Sequence, residues 1–91
     1  MNTPCRYLEI TFRNGKPFAA YFYLARQPGD VSVRTQQPEP GLIVDFATDG
    51  RAIGIEITSP TSISPEAINR VLSGLHEPPA SAEELHPLVA A

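Results

Sequence analysis

The sequence predicts a small α+β domain, in which a four- to five-stranded antiparallel meander sheet carries one C-terminal helix packed on one face. Two turn dipeptides, Asn14-Gly15 and Asp49-Gly50, each separate two apolar segments, which is a strong signal for β-hairpins. One amphipathic segment follows at residues 65–75. Of the 91 residues, 42% are hydrophobic and 19% are charged, which is typical of a folded domain with one core.

The first hairpin is predicted to join strands at residues 5–12 and 18–24. Alternation of polar and apolar side chains assigns one face of each strand to the core. These core positions are Leu8, Ile10 and Phe12 in the first strand, and Phe18, Ala20, Phe22 and Leu24 in the second. The opposite face of the second strand is also apolar or aromatic, so we expect this strand to be central or covered on both sides.

A short third strand is predicted at residues 31–35, with Val33 facing inward, before a proline-rich break at residues 38–41. Residues 42–47 and 52–57 then form the second hairpin. A two-residue loop at Asp49-Gly50 would place Phe46 opposite Ile53. One face of this hairpin should form most of the core: Leu42, Val44, Phe46, Ile53, Ile55 and Ile57.

The helix has a clear start. The hydroxyl of Ser64 can accept a hydrogen bond from an unpaired backbone N–H, and Pro65 suits the first helical position. Gly74 is expected to close the helix. Its apolar stripe, which should pack on the second hairpin, consists of Ile68, Val71, Leu72 and Leu75.

We assign residues 1–76 to a single α+β domain and residues 77–91 to a Pro-rich C-terminal tail. A capping box at Ser81 to Glu84 allows a short helical turn, which Pro87 should end early. Leu85 and Leu88 are left as a small apolar cluster with three alternatives: folding back on the chain's own core, docking on a second subunit, or disorder.

Charge is unevenly distributed along the chain. Residues 1–36 hold five basic and two acidic residues, whereas residues 37–91 hold two basic and eight acidic ones. Either the two parts partly neutralise each other in the fold, or an acidic face binds a basic partner. The arginines are scattered, so nucleic-acid binding through Arg6, Arg13, Lys16 and Arg34 is disfavoured.

The sequence also gives expectations about location. Its longest apolar run is eight residues, too short to cross a bilayer, so no membrane association is expected. The first residues lack the pattern of a signal peptide. A single cysteine excludes a disulfide within these residues and favours the cytoplasm.

Residues 41–57 read Gly-Leu-Ile-Val-Asp-Phe-Ala-Thr-Asp-Gly-Arg-Ala-Ile-Gly-Ile-Glu-Ile. This segment is similar to the signature hairpin of the YuzE-like small bacterial domains (domain of unknown function family 2283), and residues 19–24 resemble their earlier strand. Residues 12–17 are basic where the family commonly has an acidic segment. The family has no established activity, so the resemblance implies no catalytic residue. Its members resemble small partners of toxin-like proteins, which implies an antitoxin-like role.

Asp45 and Glu56 are the candidate ligand or metal residues. In the second hairpin they are diagonal neighbours on the face opposite the core, where two carboxylates could act as acid and base or share a divalent cation. Alternatively, both point to water or pair with an arginine such as Arg34. Gly54, between them, would let a neighbouring side chain or chain approach closely.

The interface candidates are Tyr7, Tyr21, Tyr23, Leu85 and Leu88, because one helix covers only one side of a small sheet. Tyr7 is expected on the same face as Tyr21 or Tyr23. We therefore expect a non-enzymatic, cofactor-free protein-interaction module, homodimeric and with a possible protein partner. The alternative is a small metal-binding or hydrolytic domain that uses Asp45 and Glu56.

Overall fold

The structure is a computed structural model that describes residues 6–25 and 27–90, so Cys5 of the first predicted strand lies outside it. The elements are β1 (Tyr7–Arg13), β2 (Lys16–Tyr23), β3 (Arg34–Glu39), β4 (Leu42–Phe46), β5 (Ala52–Ile57), a 3-10 turn (Pro60–Ser62), α1 (Pro65–Gly74) and α2 (Ala82–Ala90). The strands form one antiparallel sheet in the order β1-β2-β5-β4-β3. The predicted α+β class is confirmed, with a second helix in addition to the expected one.

The strand order departs from the predicted meander at one place, because β2 pairs with β5 and leaves β3 at the far edge. Apolar residues explain this pairing. Ala20 lies opposite Ile57 and Phe22 opposite Ile55, so all four side chains join one core. The side chains of β3 are almost all exposed. A polar strand of this kind loses no burial free energy at the edge of a sheet, because it has no apolar side chains to bury. At the centre of the sheet its polar side chains would face the apolar core.

Both hairpins form at the predicted turns. Asn14 and Gly15 have φ of 53° and 77°, as the first turn requires. The second loop is one residue longer than predicted: Gly50 (φ 91°) donates its N–H to Ala47. The extra loop residue shifts the register, so Phe46 lies opposite Ala52 and not Ile53.

The core lies between one face of the sheet and the two helices. As predicted, the apolar stripe of α1 packs on the apolar face of β4 and β5. The fully buried members of this core are Phe22, Leu24, Leu42, Val44, Ile55, Ile57, Ile68, Leu72 and Leu85.

Three side chains predicted to face the core are instead exposed: Phe12, Phe18 and Val33. Phe18 is the extra residue of a β-bulge in β2, since Phe12 pairs with Pro17 while Thr11 pairs with Ala19. The third strand begins later than predicted and continues through Pro38 to Glu39. In place of Val33, the guanidinium of Arg34 lies 4.1 Å from the ring centroid of Phe46.

Helix α1 begins as predicted and ends two residues later than a Gly74 cap would imply. The Oγ of Ser64 accepts from the N–H of Ala67 at 3.2 Å. At the other end, the left-handed residue is His76 (φ 59°) and not Gly74. The N–H of Glu77 donates to Leu72 and that of His76 to Ser73, which is the hydrogen-bond pattern of a Schellman cap.

Replacing His76 by glycine is expected to stabilise the fold by about 0.5–1 kcal/mol, because glycine adopts the left-handed conformation without the steric cost of a Cβ. Urea unfolding would measure the gain. His76→Ala is the matched control, since it removes the imidazole and keeps the Cβ. An equal gain in the free energy of unfolding in both variants would show that the imidazole side chain, and not the left-handed backbone conformation, destabilises the wild type.

Helix α2 corrects the expectation that Pro87 ends the tail helix early. The capping box forms, with Ser81 Oγ accepting from the N–H of Glu84 at 3.1 Å, but the helix continues to Ala90. Proline removes one bond to the carbonyl four residues earlier, that of the exposed Glu83. Burial of Leu88 beyond the proline offsets this loss, since burying a leucine contributes about 2 kcal/mol.

Arg6 ties α2 to the start of β1, and we call its contacts the Arg6 clamp. Its Nε and Nη2 donate to the two carboxylate oxygens of Glu84 at 3.1 and 3.0 Å. Its Nη1 and Nη2 donate to the carbonyls of Pro78 and Pro79 at 2.8 and 3.0 Å. Burial raises the pKa of Glu84, but hydrogen bonds from Arg6 and Ser81 outweigh it and hold that pKa below its usual value.

Candidate functional site

Both helices pack on one face of the sheet, and the side chains of the opposite face define a surface that we call the open face. Alternation along each strand selects its members, because successive side chains point to opposite faces. Paired residues of neighbouring strands share a face, so the register assigns the whole set. Its members are Tyr7, Glu9, Thr11, Arg13, Lys16, Ala19, Tyr21, Tyr23, Thr35, Ile43, Asp45, Gly54 and Glu56.

Three tyrosines form a continuous aromatic cluster on the open face. Tyr7 lies opposite Tyr23, and their rings stack with centroids 4.5 Å apart. Tyr21 meets Tyr23 edge to face at 4.6 Å. The predicted placement of Tyr7 on the face of the other two is confirmed. Tyr7 is 51% exposed, so the cluster presents an aromatic ring to solvent.

Gly54 makes the position of Tyr21 possible. Tyr21 reaches across β5 to donate its hydroxyl to Asp45 Oδ2 on β4, at 2.7 Å. The ring thereby lies over Gly54, where a Cβ would overlap the Oη and Cζ atoms of Tyr21. As the sequence predicts, Gly54 admits a close neighbour, and that neighbour is the ring of Tyr21.

Asp45 has a second partner that the sequence did not reveal. The hydroxyl of Ser32 donates to Asp45 Oδ1 at 3.0 Å. Ser32 lies in the connection between β2 and β3, just before β3 begins at Arg34. The strand predicted at residues 31–35 would turn Ser32 away from the core, but nothing in the sequence pairs it with Asp45. Each carboxylate oxygen of Asp45 therefore accepts a hydrogen bond from a hydroxyl group. Asp45 thereby holds both Tyr21 and the connection between β2 and β3 on the open face.

Two glutamates flank Tyr21. The register places Glu9 on one side of it, on β1, and Glu56 on the other, on β5. Both side chains are exposed, and Glu9 accepts a hydrogen bond from the hydroxyl of Tyr23 at 3.3 Å. Among residues 6–25 and 27–90, neither glutamate forms an ion pair, while Arg6, Arg51 and Arg70 each pair with carboxylates elsewhere.

The carboxylates proposed as a metal or catalytic pair have the predicted register. Asp45 lies opposite Gly54 and Glu56 opposite Ile43, which makes the two acids diagonal neighbours. Arg34 pairs with neither, because its guanidinium stacks on Phe46. Within the described part of the chain, no group of three or more His, Cys, Asp or Glu side chains is placed to hold a metal ion.

The two leucines predicted at an interface lie elsewhere. Leu85 and Leu88 are 2% and 5% exposed and belong to the chain's own core. This corresponds to the first of the three alternatives for the tail, folding back on the core. They are not available to a partner in this conformation. Of the five predicted interface residues, the structure brings together the three tyrosines.

Comparisons with known proteins give a match to a family model. No curated protein and no solved structure gives a significant match. Neither helix of the described residues is long and apolar enough to cross a membrane. Residues 19–59 match the family described as "Protein of unknown function (DUF2283)". That segment spans β2 to β5 and contains Tyr21, Asp45, Gly54 and Glu56. This match confirms, over residues 19–59, the resemblance to the DUF2283 family that the sequence indicates.

Proposed function

We propose that this chain is a non-enzymatic protein-interaction module whose open face binds an arginine- or lysine-rich segment of a partner protein. The observation that carries the proposal is the arrangement around Tyr21. An aromatic cluster stands between the carboxylates of Glu9 and Glu56, which no cation of the described residues neutralises.

The chemistry of this surface matches a guanidinium or ammonium group. A cation over a tyrosine face is stabilised by about 0.5–1 kcal/mol at an exposed site, and by more when water is excluded. A flanking carboxylate adds a charge-assisted hydrogen bond, which arginine can make in bidentate form. An exposed tyrosine ring offers a binding contact of the kind enriched at interface hot spots.

The rings are also held in place before any partner arrives. Tyr7 stacks on Tyr23, Tyr23 contacts Tyr21, and Tyr21 is bonded to Asp45. Ordering a free side chain at an interface costs about 0.5–1.5 kcal/mol, and these contacts reduce that cost.

The partner in this proposal is a protein and not a nucleic acid, since the carboxylates of the open face repel phosphates. An antitoxin-like role, in which a small acidic module covers a basic toxin-like protein, would use this chemistry. We place the module in the reducing cytoplasm, because the sequence has a single cysteine.

A fluorescein-labelled nona-arginine peptide provides a defined probe. Fluorescence anisotropy should show that the double variant Glu9→Gln/Glu56→Gln binds it at least about 10-fold more weakly than the wild type, a loss of about 1.4 kcal/mol. Tyr7→Ala should weaken binding as well, by removing the exposed ring.

The matched control is Glu66→Gln/Glu83→Gln, which removes the same two charges from exposed positions on α1 and α2. Its affinity should remain within about twofold of the wild type, since remote surface charges are screened beyond about 10 Å at 0.1 M salt. Equal losses in the two double variants would mean that only net charge matters, and the proposal would be wrong.

A further inference from the structure

The two edges of the sheet differ in how they are protected. Edge strand β3 contains Pro38, and its register is irregular between Gln36 and Glu39. Prolines and irregularities of this kind prevent an edge from pairing with another chain. Edge strand β1 has no proline over its seven residues. The bulge in its pairing with β2 lies at Phe18, so β1 itself is regular.

Strand β1 also presents apolar surface that residues 6–25 and 27–90 do not cover. Its helix-facing side consists of Leu8, Ile10 and Phe12. Leu8 and Ile10 are half-buried against the core, but Phe12 is 56% exposed. Val89 is exposed on α2, the helix that contacts β1. An exposed, regular edge with an apolar side is the arrangement that pairs with a further strand.

The strand is complementary to itself. If two copies pair antiparallel about Ile10, Leu8 lies opposite Phe12 of the partner subunit, and Tyr7 lies opposite Arg13 of the partner subunit. Glu9 then lies opposite Thr11 of the partner subunit and diagonal to both Arg13 and Glu9 of the partner subunit. The apolar residues of the two strands then meet on the side that faces the helices. On the open face, Arg13 of the partner subunit meets the ring of Tyr7 and the carboxylate of Glu9. This register pairs all seven residues, whereas one centred on Glu9 would oppose two carboxylates.

We propose that the chain forms a two-fold symmetric dimer in which two β1 strands pair and join the sheets into one of ten strands. Opposed residues share a face, so the two open faces lie on the same side of the joined sheet. The dimer thus presents two tyrosine clusters side by side. In this dimer Arg13 of the partner subunit contacts Tyr7 and Glu9 at the seam, so a cationic segment bound to the open face competes with that arginine for these two residues.

Light scattering after size exclusion, over a range of concentrations, tests the dimer. The expected mass is twice the 9.9 kDa of the chain at high concentration. Arg13→Glu places a carboxylate beside the partner's Glu9 and should raise the dimer dissociation constant at least about 10-fold. The double exchange Glu9→Arg/Arg13→Glu should restore it to within about threefold of the wild type, because it exchanges the two charges.

Arg34→Glu is the matched control. It makes the same charge change on β3, at the opposite edge of the sheet, and should alter the dissociation constant less than about twofold. Thermal unfolding midpoints show whether each variant is folded, and the double exchange separates a lost charge pair from a damaged strand. A mass of 9.9 kDa at every concentration would overturn the proposal. So would a dimer that Arg13→Glu leaves unchanged, or one that the double exchange fails to restore.

Discussion

Replacing Gly54 by alanine is expected to lower the free energy of unfolding by about 2 kcal/mol. The new Cβ would overlap the phenol end of Tyr21, so the ring must leave its place over β5. Leaving breaks the hydrogen bond to Asp45, and a bond to a charged group contributes about 1.5–3 kcal/mol. Alanine regains about 0.5–1 kcal/mol, since glycine is unfavourable inside a strand.

A double-mutant cycle isolates this effect. The three atoms nearest to a Cβ at position 54 all belong to the Tyr21 ring, so in the Tyr21→Ala background Gly54→Ala should be neutral or slightly stabilising. The coupling between the two positions should then be about 2 kcal/mol or more by urea unfolding. An equal loss in both backgrounds would mean that another contact rejects the methyl group.

Gly74→Ala is the matched control for Gly54→Ala. Gly74 is the last residue of α1, and a Cβ there meets no atom within 4 Å. Because alanine is the better helix former by up to about 1 kcal/mol, the substitution should be neutral or stabilising. The contrast between the two glycines tests whether the open face requires glycine at residue 54 for steric reasons.

The features predicted correctly from the sequence are those with local causes. Asn14-Gly15 sets a turn because of its own backbone preferences, and Ser64 caps α1 through a bond three residues away. The two-residue loop predicted at Asp49-Gly50 gives the observed register at Asp45 and Gly54, because the irregularity between Asp45 and Phe46 offsets the extra loop residue. From that register followed the diagonal relation of Asp45 and Glu56 and the close approach at Gly54.

The features that were missed depend on residues far apart in the sequence. Pairing of β2 with β5 joins residues more than 30 positions apart, and no turn signal specifies it. Ser32 has a role only because Asp45 lies beside it. The length of α2 reflects a conflict between local preference and tertiary packing. Pro87 alone predicts that the helix ends there, whereas the burial of Leu88 stabilises its continuation. Tertiary packing overrides local preference in such cases.

Replacing Arg6 by methionine is expected to cost about 2 kcal/mol and to loosen α2. Methionine keeps much of the apolar stem but removes every hydrogen bond of the Arg6 clamp. The side chains of Arg6 and Glu84 are 13% and 24% exposed, so Glu84 loses its partner in a partly dry setting, whereas the two proline carbonyls lose theirs at the surface. Leaving a charged group without its partner is costly there. Urea unfolding would measure the cost, and hydrogen exchange of the α2 amides should accelerate.

Arg70→Met is the matched control, because Arg70 makes the same two-pronged contact with Glu39 but is 62% exposed. An exposed pair contributes about 0–1 kcal/mol, so Arg70→Met should cost much less than Arg6→Met. The difference between wild type and Arg6→Met should also depend on pH. The pKa of Glu84 is lowered in the folded state, so the clamp stabilises the fold above the unfolded-state value of about 4.3. That stabilisation is lost as the pH falls through the lowered pKa. Equal costs for the two arginines, or a pH-independent difference, would show that the clamp contributes no more than a surface pair.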